Sequence, residues 1–356
     1  MNNIEFISGK AVEFLKKLIS IQSYSSEEDQ TGDLIFDYLK EHGFSPQRKL
    51  NNIWAWAGER DPSKPTILLN SHHDTVKATS KWTFDPFSPT VVDGKLFGLG
   101  SNDAGGPLVS LLHVFLELSQ YPQPYNLVFL ASAEEETSGK QGVPIVLEDL
   151  GHIDLGVVGE PTMMDMAIAE RGLIVLDCVA HGVSGHAARG EGENAIYKAL
   201  KDIEWFKSFE FKKKSEVLGG INMTVTQVEA GSQHNVVPDE CRFVVDVRPN
   251  EFYSNSEIVE IIRKYVSCDV RPRSLNLNAS GIDSEHPIVK KGKKAEIVTY
   301  GSQTMSDQVH MPFPCIKMGP GDTHRSHTAD EYIYLDEIKS GIEIYLNLLN
   351  GLKISK

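Results

Sequence analysis

The sequence predicts an α/β protein in which a smaller α+β domain is inserted into a larger domain built on a mainly parallel sheet. At 356 residues the chain exceeds what one hydrophobic core usually supports. Apolar strand-like runs alternate with helical segments before residue 170, the order that produces parallel strands joined by helices. The middle then changes to the order β-α-β-β-α-β of ferredoxin-like domains. We therefore expect residues 1–170 and 283–356 to form one domain and residues 171–282 to form the inserted one.

Four strand-like apolar runs in the first domain predict its parallel sheet. Two of them are continuously apolar, as in strands that helices cover on both faces. A proline near the start of the third helix is expected, because its missing N–H has no partner in a first turn. The predicted strands are Asn52–Ala57, Thr66–Asn70, Leu127–Ala131 and Leu155–Val158, and the helices are centred on Val12–Ile19, Leu34–Leu39 and Leu108–Phe115.

The inserted domain is predicted from four strand-like and two helical segments. Their alternation in the chain gives a four-stranded sheet with two helices, rather than another parallel layer. The predicted strands are Leu173–Ala180, Ile221–Val228, Arg242–Val247 and Asp269–Asn276, and the helices are Asn194–Phe206 and Ser256–Val266.

Composition narrows the classes of function. Lys and Arg total 35 against 49 Asp and Glu, for a net charge of -14, which disfavours nucleic-acid backbones and anionic membranes as partners. Acids and lysines interrupt the first 23 residues, so we expect no signal peptide, and no apolar run approaches a spanning length. The four cysteines form no CxxC pair. These features predict a cytoplasmic protein with reduced thiols.

Candidate chemistry lies where predicted strands end, the edge at which open α/β sheets bind ligands. His72 and Asp74 follow one strand, three consecutive acids at Glu134–Glu136 follow another, and Glu160 follows a third. Asp103 precedes a helix, where an isolated acid would most often be an N-cap. Adjacent acids at a buried strand end repel one another unless a cation neutralises them.

A late histidine completes the set, and His324 and His327 compete for that role. Two histidines with three carboxylates suit zinc or a similar divalent ion, whereas calcium prefers oxygen ligands alone. The number of ligands is enough for two ions that share one bridging carboxylate. The sequence therefore predicts a two-metal site.

With these motifs in this order, the chain resembles the family of co-catalytic zinc hydrolases that includes aminoacylases, carboxypeptidases and acetylornithine deacetylases. The resemblance runs from Ser71–Asp74 to Asp330–Glu331 and includes the inserted domain. It implies a zinc-exopeptidase-like catalytic domain with an inserted dimerisation or lid domain. It implies two divalent ions, zinc or alternatively cobalt, one held by His72, Asp103 and Glu160 and the other by Asp103, Glu136 and His327.

The resemblance also implies catalytic roles. Asp74 would orient His72, since metal-bound imidazoles usually donate their second N–H to a partner. The family carries Asp-Glu-Glu where this chain has Glu134–Glu136. Counting back from Thr137, which the deacetylases share, makes Glu135 the general base and the residue after it a metal ligand.

Further implied roles concern the substrate. His186 would reach the site of a neighbouring subunit and stabilise an oxyanion, which implies a homodimer joined through the inserted domain. Asn235 and Arg248 would hold the α-carboxylate of the substrate, and an Arg fork suits bidentate binding. Gly321, in the stretch that leads to His327, is expected to contact substrate.

The expected reaction is metal-assisted hydrolysis of the amide bond of a small N-acyl amino acid. The resemblance favours N-acetylornithine, cleaved to ornithine and acetate as in arginine biosynthesis. Succinylornithine, acetylcitrulline, succinyl-diaminopimelate and dipeptides stay open, because the same chemistry would serve them. Ser306–Asp307 resembles a desuccinylase segment, and Arg189 and Arg325 could hold a succinyl carboxylate if they faced the pocket. An inactive metal-binding protein is less favoured, since no ligand or base is missing.

Overall fold

The computed structural model describes residues 3–356, so the first two residues of the predicted first domain lie outside it. The chain forms two compact units. Unit 1 consists of the chain up to Ile168 with Gly281–Tyr300 and Ser306–Lys356, and unit 2 consists of Ala169–Ser280 with Gly301–Met305. The boundaries predicted from the sequence were at 170/171 and 282/283.

Residues 3–356 contain eight α-helices, which are numbered here in chain order. They are α1 (Ile4–Ile19), α2 (Asp29–Glu41), α3 (Gly106–Leu118), α4 (Leu147–Leu150), α5 (Ala195–Ser208), α6 (Asn255–Arg263), α7 (Pro287–Lys294) and α8 (Leu335–Leu349). In this part of the chain, no helix is long and apolar enough to cross a membrane.

The same residues contain eighteen strands, several of them only two or three residues long. They are β1 (Gln47–Lys49), β2 (Asn52–Trp56), β3 (Thr66–His72), β4 (Thr90–Val92), β5 (Lys95–Phe97), β6 (Asn126–Ser132), β7 (Leu155–Val158), β8 (Met166–Glu170), β9 (Ile174–His181), β10 (Gly185–His186), β11 (Asn222–Ala230), β12 (Val236–Val237), β13 (Glu240–Arg248), β14 (Asp269–Pro272), β15 (Ser280–Gly281), β16 (Thr299–Ser302), β17 (Cys315–Lys317) and β18 (Tyr332–Tyr334).

The main sheet has the strand order β1-β2-β6-β3-β7-β17-β8-β15, and β16 also pairs with β8. Its centre is parallel, because β3 runs parallel to both β6 and β7, and β17 runs parallel to β7. β3 and β7 are buried along their whole length, as expected of central strands with both faces covered. The carboxyl ends of β3, β6 and β7 therefore meet at one edge of the sheet.

Helices α1, α3 and α8 pack against one another, and α3 also packs on β3 and β6. Almost every side chain of α3 is buried, so this helix is a core element rather than a surface one. Asn3 caps α1 by accepting a hydrogen bond from the backbone N–H of Glu5. The opposite face of the sheet is covered by a separate apolar cluster around Leu68, Val128 and Leu150.

Unit 2 confirms the predicted ferredoxin-like insertion. Its sheet has the order β11-β13-β9-β14, and every adjacent pair is antiparallel. Residues such as Leu176, Phe206, Phe243 and Ile258 form its own buried core. Helix α6 begins with a capping box between Ser254 and Glu257.

Some predicted boundaries were wrong for identifiable reasons. The last strand of unit 2 was expected to reach residue 276, but β14 ends at Pro272, a residue with no N–H to donate to a ladder. The three-stranded sheet β18-β5-β4 was not predicted, because strands of three residues carry too little alternation to recognise.

Candidate metal centre

The candidate residues of unit 1 come together at the carboxyl edge of the main sheet. His72 is the last residue of β3, the Glu135–Glu136 turn follows β6, and Glu160 follows β7. Asp103 lies before α3 in a segment with non-helical backbone angles, so it is not the N-cap that an isolated acid would suggest. His327 lies in the segment between β17 and β18.

Two groups of three side chains are close enough to hold a metal ion each. In each group, one potential ligand atom per residue lies within 4.8 Å of the others. His72 Nε2 is 3.3 Å from Asp103 Oδ1 and 3.8 Å from Glu160 Oε1 in the first group. His327 Nε2 is 2.9 Å from Glu136 Oε2 and 3.6 Å from Asp103 Oδ2 in the second.

Asp103 belongs to both groups and turns a different carboxylate oxygen towards each. Oδ1 faces His72 and Oδ2 faces His327. This is the arrangement that a carboxylate bridging two ions requires. Of the two competing histidines, His324 is the more exposed and is bonded through Nδ1 to Asp322 at 2.9 Å.

Two acids of this cluster, Glu135 and Glu160, have raised pKa values. Burial raises the pKa of Glu135 well above its usual value; His72 opposes the rise, while Glu160 and Asp307 add to it. Burial also raises the pKa of Glu160 to about 8, with the Asp103 charge adding and His72 opposing. Raised carboxyl pKa values indicate a site that favours a cation.

The pKa values of the two imidazoles are raised as well. Burial lowers the pKa of His72, but hydrogen bonds to Asp103 and Asp74, together with the nearby acidic side chains, hold that pKa well above the ordinary value. The hydrogen bond to Glu136 raises the pKa of His327 to about 9. Divalent ions would supply the same positive charge while leaving both rings neutral, as ligands must be. The residues present therefore fit a pair of divalent cations.

His72 is held in place independently of any metal. Its Nδ1 lies 3.0 Å from the backbone oxygen of Asp74 and 3.4 Å from Asp74 Oδ1. The ring can donate Nδ1–H to this oxygen and leave Nε2 to face the other candidate ligands. Orientation of His72 by Asp74 was predicted, and the shorter contact is to the backbone of that residue.

The side chain of Asp74 also binds the backbone of the turn that contains Glu135 and Glu136. It accepts hydrogen bonds from the backbone N–H groups of Glu135 at 3.1 Å and of Glu136 at 3.2 Å. Glu28 accepts the preceding N–H, that of Glu134, at 3.0 Å, and burial raises the pKa of Glu28 to about 7. Two buried carboxylates thus fix three consecutive amides, a role for Glu28 that the sequence did not reveal.

The structure bears on the register of the three acids. Glu134 has a left-handed backbone conformation, with φ of 56°. Its carboxylate accepts hydrogen bonds from Ser26 Oγ at 2.9 Å and from the backbone and side chain of Gln141 at 3.1 and 3.2 Å. Glu135 Oε2, in contrast, lies 3.9 Å from His72 Nε2. Glu135 therefore faces the metal centre, and Glu134 is engaged elsewhere.

Asp307 is a buried acid behind the centre whose role the sequence did not predict. It accepts a short hydrogen bond from Ser132 Oγ, at the end of β6. Burial raises the pKa of Asp307 to about 6, and the same hydrogen bond opposes the rise. The Ser306–Asp307 motif was the available signal, but it was interpreted as a clue to the substrate.

The predicted substrate residues lie in both units. His186, Asn235 and Arg248 belong to unit 2, where the first two are exposed. Arg248 is paired with Asp246 through contacts of 2.7 and 3.0 Å. Gly321 lies in unit 1 with φ of 93°, and a Cβ atom there would come within 2.5 Å of the side chain of Asn102. Their roles towards substrate stay predictions.

Arg325, a candidate for binding a succinyl group, and His73, the neighbour of His72, have structural partners. Arg325 donates to both carboxylate oxygens of Glu337, at 2.7 and 2.8 Å, and lies over the ring of Tyr332. His73 bonds to Thr31 Oγ1 at 2.8 Å and to the backbone oxygen of Asn51 at 2.7 Å. Burial lowers the pKa of His73 to about 4, so this ring is neutral near pH 7.

Two named relatives resemble this chain over nearly its full length. Succinyl-diaminopimelate desuccinylase 2 of Ruegeria sp. (strain TM1040) is 24% identical over 95% of this chain and 94% of its own. The LysW-lysine/LysW-ornithine hydrolase of Sulfurisphaera tokodaii is 25% identical over 98% of this chain and 97% of its own.

The fold is shared with solved structures. A dinuclear metal-binding peptidase of the M20 family from Bacillus subtilis superposes with a TM-score of 0.72 at 14% identity, covering 97% of this chain and 98% of that one. The sequence profile of peptidase family M20/M25/M40 matches residues 68–351, which include all the candidate metal ligands. The predicted resemblance is confirmed, and the chain belongs to peptidase family M20/M25/M40, a family of metal-dependent hydrolases that act on small N-acyl amino acids or peptides.

Proposed function

We propose that the protein hydrolyses the amide bond of an N-acyl amino acid at a two-metal centre, with N-acetylornithine as the first candidate substrate. The observation that carries the proposal is the position of Asp103. Its two carboxylate oxygens face two separate groups of His and carboxylate ligands, at 3.3 Å from His72 and 3.6 Å from His327.

One ion would be held by His72, Asp103 and Glu160, and the other by Asp103, Glu136 and His327. The mixture of imidazole and carboxylate ligands suits zinc, with cobalt as an alternative. When bound, such ions polarise a carbonyl group and lower the pKa of water towards about 7.

Glu135 would move the proton. Its carboxylate faces the centre without belonging to either ligand group, and burial raises its pKa well above the usual value. A carboxylate with raised pKa accepts a proton from water more readily and can then give it to the leaving amine. Asp74 and Glu28 support this step by fixing the backbone of the turn that carries Glu135.

Residues of unit 2 would bind and orient the substrate. Asn235 and Arg248 are proposed to hold the α-carboxylate, which places the scissile amide on the α-nitrogen. His186 is proposed to stabilise the oxyanion in the site of a second subunit, so the active form would be a homodimer. These assignments rest on the family resemblance, and Arg248 would have to leave or share its present partner, Asp246.

The amino-acid part of the substrate is proposed to carry a second amino group. The names of the two relatives specify diaminopimelate, lysine and ornithine, all of which have one. N-acetylornithine and acetylcitrulline differ in that group, so they test it directly. Hydrolysis of a dipeptide by the same residues is the alternative that requires no change in the centre.

The acyl group separates two candidate functions. The desuccinylase relative favours a succinyl substrate, which needs a cationic partner for its extra carboxylate. Arg325, a candidate for that partner, is instead bound to Glu337. Arg189 is highly exposed and 3.9 Å from Glu191. The engagement of Arg325 supports acetyl over succinyl as the preferred acyl group.

The test is a comparison of kcat/KM on N-acetylornithine, succinylornithine, acetylcitrulline, succinyl-diaminopimelate and a dipeptide, using zinc-loaded protein. We expect acetylornithine to be the best substrate, and activity to disappear when a chelator removes the metal and to return with zinc. Efficient turnover of succinyl-diaminopimelate alone would replace the deacetylase assignment and leave the amide hydrolysis intact. Activity that persists after verified metal removal would refute the two-metal mechanism itself.

A further inference from the structure

Glu331 is a buried acid whose side chain accepts hydrogen bonds from several backbone N–H groups of the segment that carries Asp103. The residue is only 2% exposed. Oε1 accepts hydrogen bonds from the N–H groups of Asn102 at 2.8 Å and Asp103 at 2.9 Å, and Oε2 accepts that of Gly100 at 3.1 Å. The backbone oxygen of Glu331 accepts a fourth N–H, from Gly98, at 3.1 Å.

The segment depends on these bonds because it belongs to no regular helix or strand ladder. Gly100 has φ of 74°, and a Cβ atom there would lie 2.6 Å from Thr75 Cγ2. Asp103 departs from helical backbone angles as well. Buried N–H groups need acceptors, and three of those in this segment find theirs in a single side chain.

The same residue is part of the segment that carries the other candidate ligand. His327 lies four residues before Glu331 in the chain. A second link joins the two segments, since Asn102 and Asp322 exchange hydrogen bonds of 3.0 Å in both directions. Glu331 therefore connects the backbone of Asp103 directly to the chain that positions His327.

The two candidate metal positions depend on this connection to different degrees. His72 and Glu160 sit at the ends of the buried strands β3 and β7, and His72 has its own contact to Asp74. His327 has a side chain that is 55% exposed and lies outside the strands. A small displacement between the Asp103 and His327 segments would therefore disturb the group containing His327 most.

We propose that Glu331 is a positioning residue that sets the distance between Asp103 and His327 and so controls binding of the second ion, the one held by Asp103, Glu136 and His327. The inference rests on the proposed two-metal function. Ions are sensitive to the placement of their ligands, and supporting residues of this kind typically change metal affinity by about 10–100-fold when they are replaced.

The experiment measures zinc binding rather than activity. Metal-free wild type, Glu331→Gln and Glu331→Asp are titrated with zinc in competition with a chromophoric chelator, and cobalt spectra are recorded in parallel. Gln preserves the size but places an amide NH2 against a backbone donor, whereas Asp keeps the carboxyl group and shortens the reach. We expect one ion to bind as in wild type and the dissociation constant of the other to rise about 10–100-fold in Glu331→Gln, and less in Glu331→Asp.

Asp202→Asn is the matched control. Asp202 is also a buried carboxylate, 4% exposed, that accepts two backbone N–H groups, those of Ser267 at 3.0 Å and Cys268 at 2.9 Å. It lies in unit 2, away from the candidate ligands along the chain. Its replacement should lower thermal stability and leave both zinc affinities unchanged.

The outcomes separate the inference from the function on which it rests. Two zinc ions bound by Glu331→Gln with wild-type affinities would overturn the positioning role. Failure of both Glu331 variants to fold without metal would overturn it too, since the residue would then serve the fold. Equal weakening of both ions would contradict the selective role. A wild type that binds no pair of ions would instead refute the proposed function.

Discussion

Replacement of Glu135 by Gln separates proton transfer from metal binding. The two side chains have nearly the same shape, and Glu135 is in neither group of candidate ligands. The variant should therefore keep both ions while losing the carboxylate that faces the centre, 3.9 Å from His72 Nε2. General-base catalysis contributes about 10²–10⁴-fold to rates, so we expect a loss of that size in kcat. It corresponds to about 3–5 kcal/mol of transition-state stabilisation.

Glu134→Gln is the matched control because it makes the same chemical change one residue earlier. The carboxylate of Glu134 is occupied by Ser26 and Gln141 and does not face the centre. Gln at this position would place its amide NH2 opposite a donor group of Ser26 or Gln141, which should cost about 1–3 kcal/mol of stability. We expect its kcat to stay within a few-fold of wild type.

The assay is steady-state hydrolysis of N-acetylornithine at saturating zinc, with the metal content of each purified variant measured in parallel. A Glu135→Gln protein that carries two ions and retains at least a tenth of the wild-type kcat would refute its role as base. The reverse pattern, an inactive Glu134→Gln with an active Glu135→Gln, would show that the assigned register is off by one residue.

Three further predictions use other parts of the molecule. Mixing Glu135→Gln with His186→Ala subunits should restore measurable activity if His186 acts in the partner's site, whereas no recovery after verified subunit exchange would exclude that role. Arg325→Gln should lower the free energy of unfolding by about 1–3 kcal/mol through loss of the Glu337 pair, and should change the acetyl-to-succinyl preference by less than threefold. Lowering the pH from 7.5 to 5 should destabilise wild type more than His113→Gln, by about 2 kcal/mol.

The sign of the last prediction follows from the buried state of His113. Burial lowers its folded-state pKa to about 4, against an ordinary value of 6.5. Above pH 6.5 the His113 ring is neutral in both the folded and the unfolded chain, so its contribution to stability is fully present. As the pH falls towards 4, His113 becomes protonated in the unfolded chain while the buried ring of the folded chain stays neutral. The unfolded state is thereby favoured, and the free energy of unfolding falls. Equal pH dependence of wild type and His113→Gln in urea unfolding would contradict this account.

Sequence patterns were sufficient for the longer elements of the fold. Continuous apolar runs such as Leu127–Ala131 identified the central strands, because strands covered on both faces leave no polar alternation. The order of strands and helices identified the ferredoxin-like unit 2. The short strand β18 was missed, since it pairs with β5 between residues about 240 apart rather than through a local pattern. Strands β4 and β5 pair locally with each other and were missed because three residues carry too little alternation to recognise.

Four of the five candidate ligands were accessible from the sequence, since each follows a recognisable strand or precedes a helix, whereas His327 was chosen through the family resemblance. The pairing of Arg325 was not accessible from the sequence, because Glu337 lies in the next helix and nothing local marks it as the partner. An arginine near a candidate metal ligand looks the same in sequence whether it faces substrate or a neighbouring acid. Only the fold distinguishes these environments.

The residues that sequence reasoning missed share a physical cause. Glu28, Asp307 and Glu331 are buried acids that accept hydrogen bonds from protein groups beside the candidate ligands. For Glu28 and Glu331 those donors are backbone N–H groups, which every residue except proline possesses. The sequence of the donating segment therefore does not show that a buried acid binds it. A centre that must concentrate acids is thus built on further acids. Charge repulsion within it is tolerable because these outer carboxylates are bonded to N–H or O–H donors while the inner ones are left for cations.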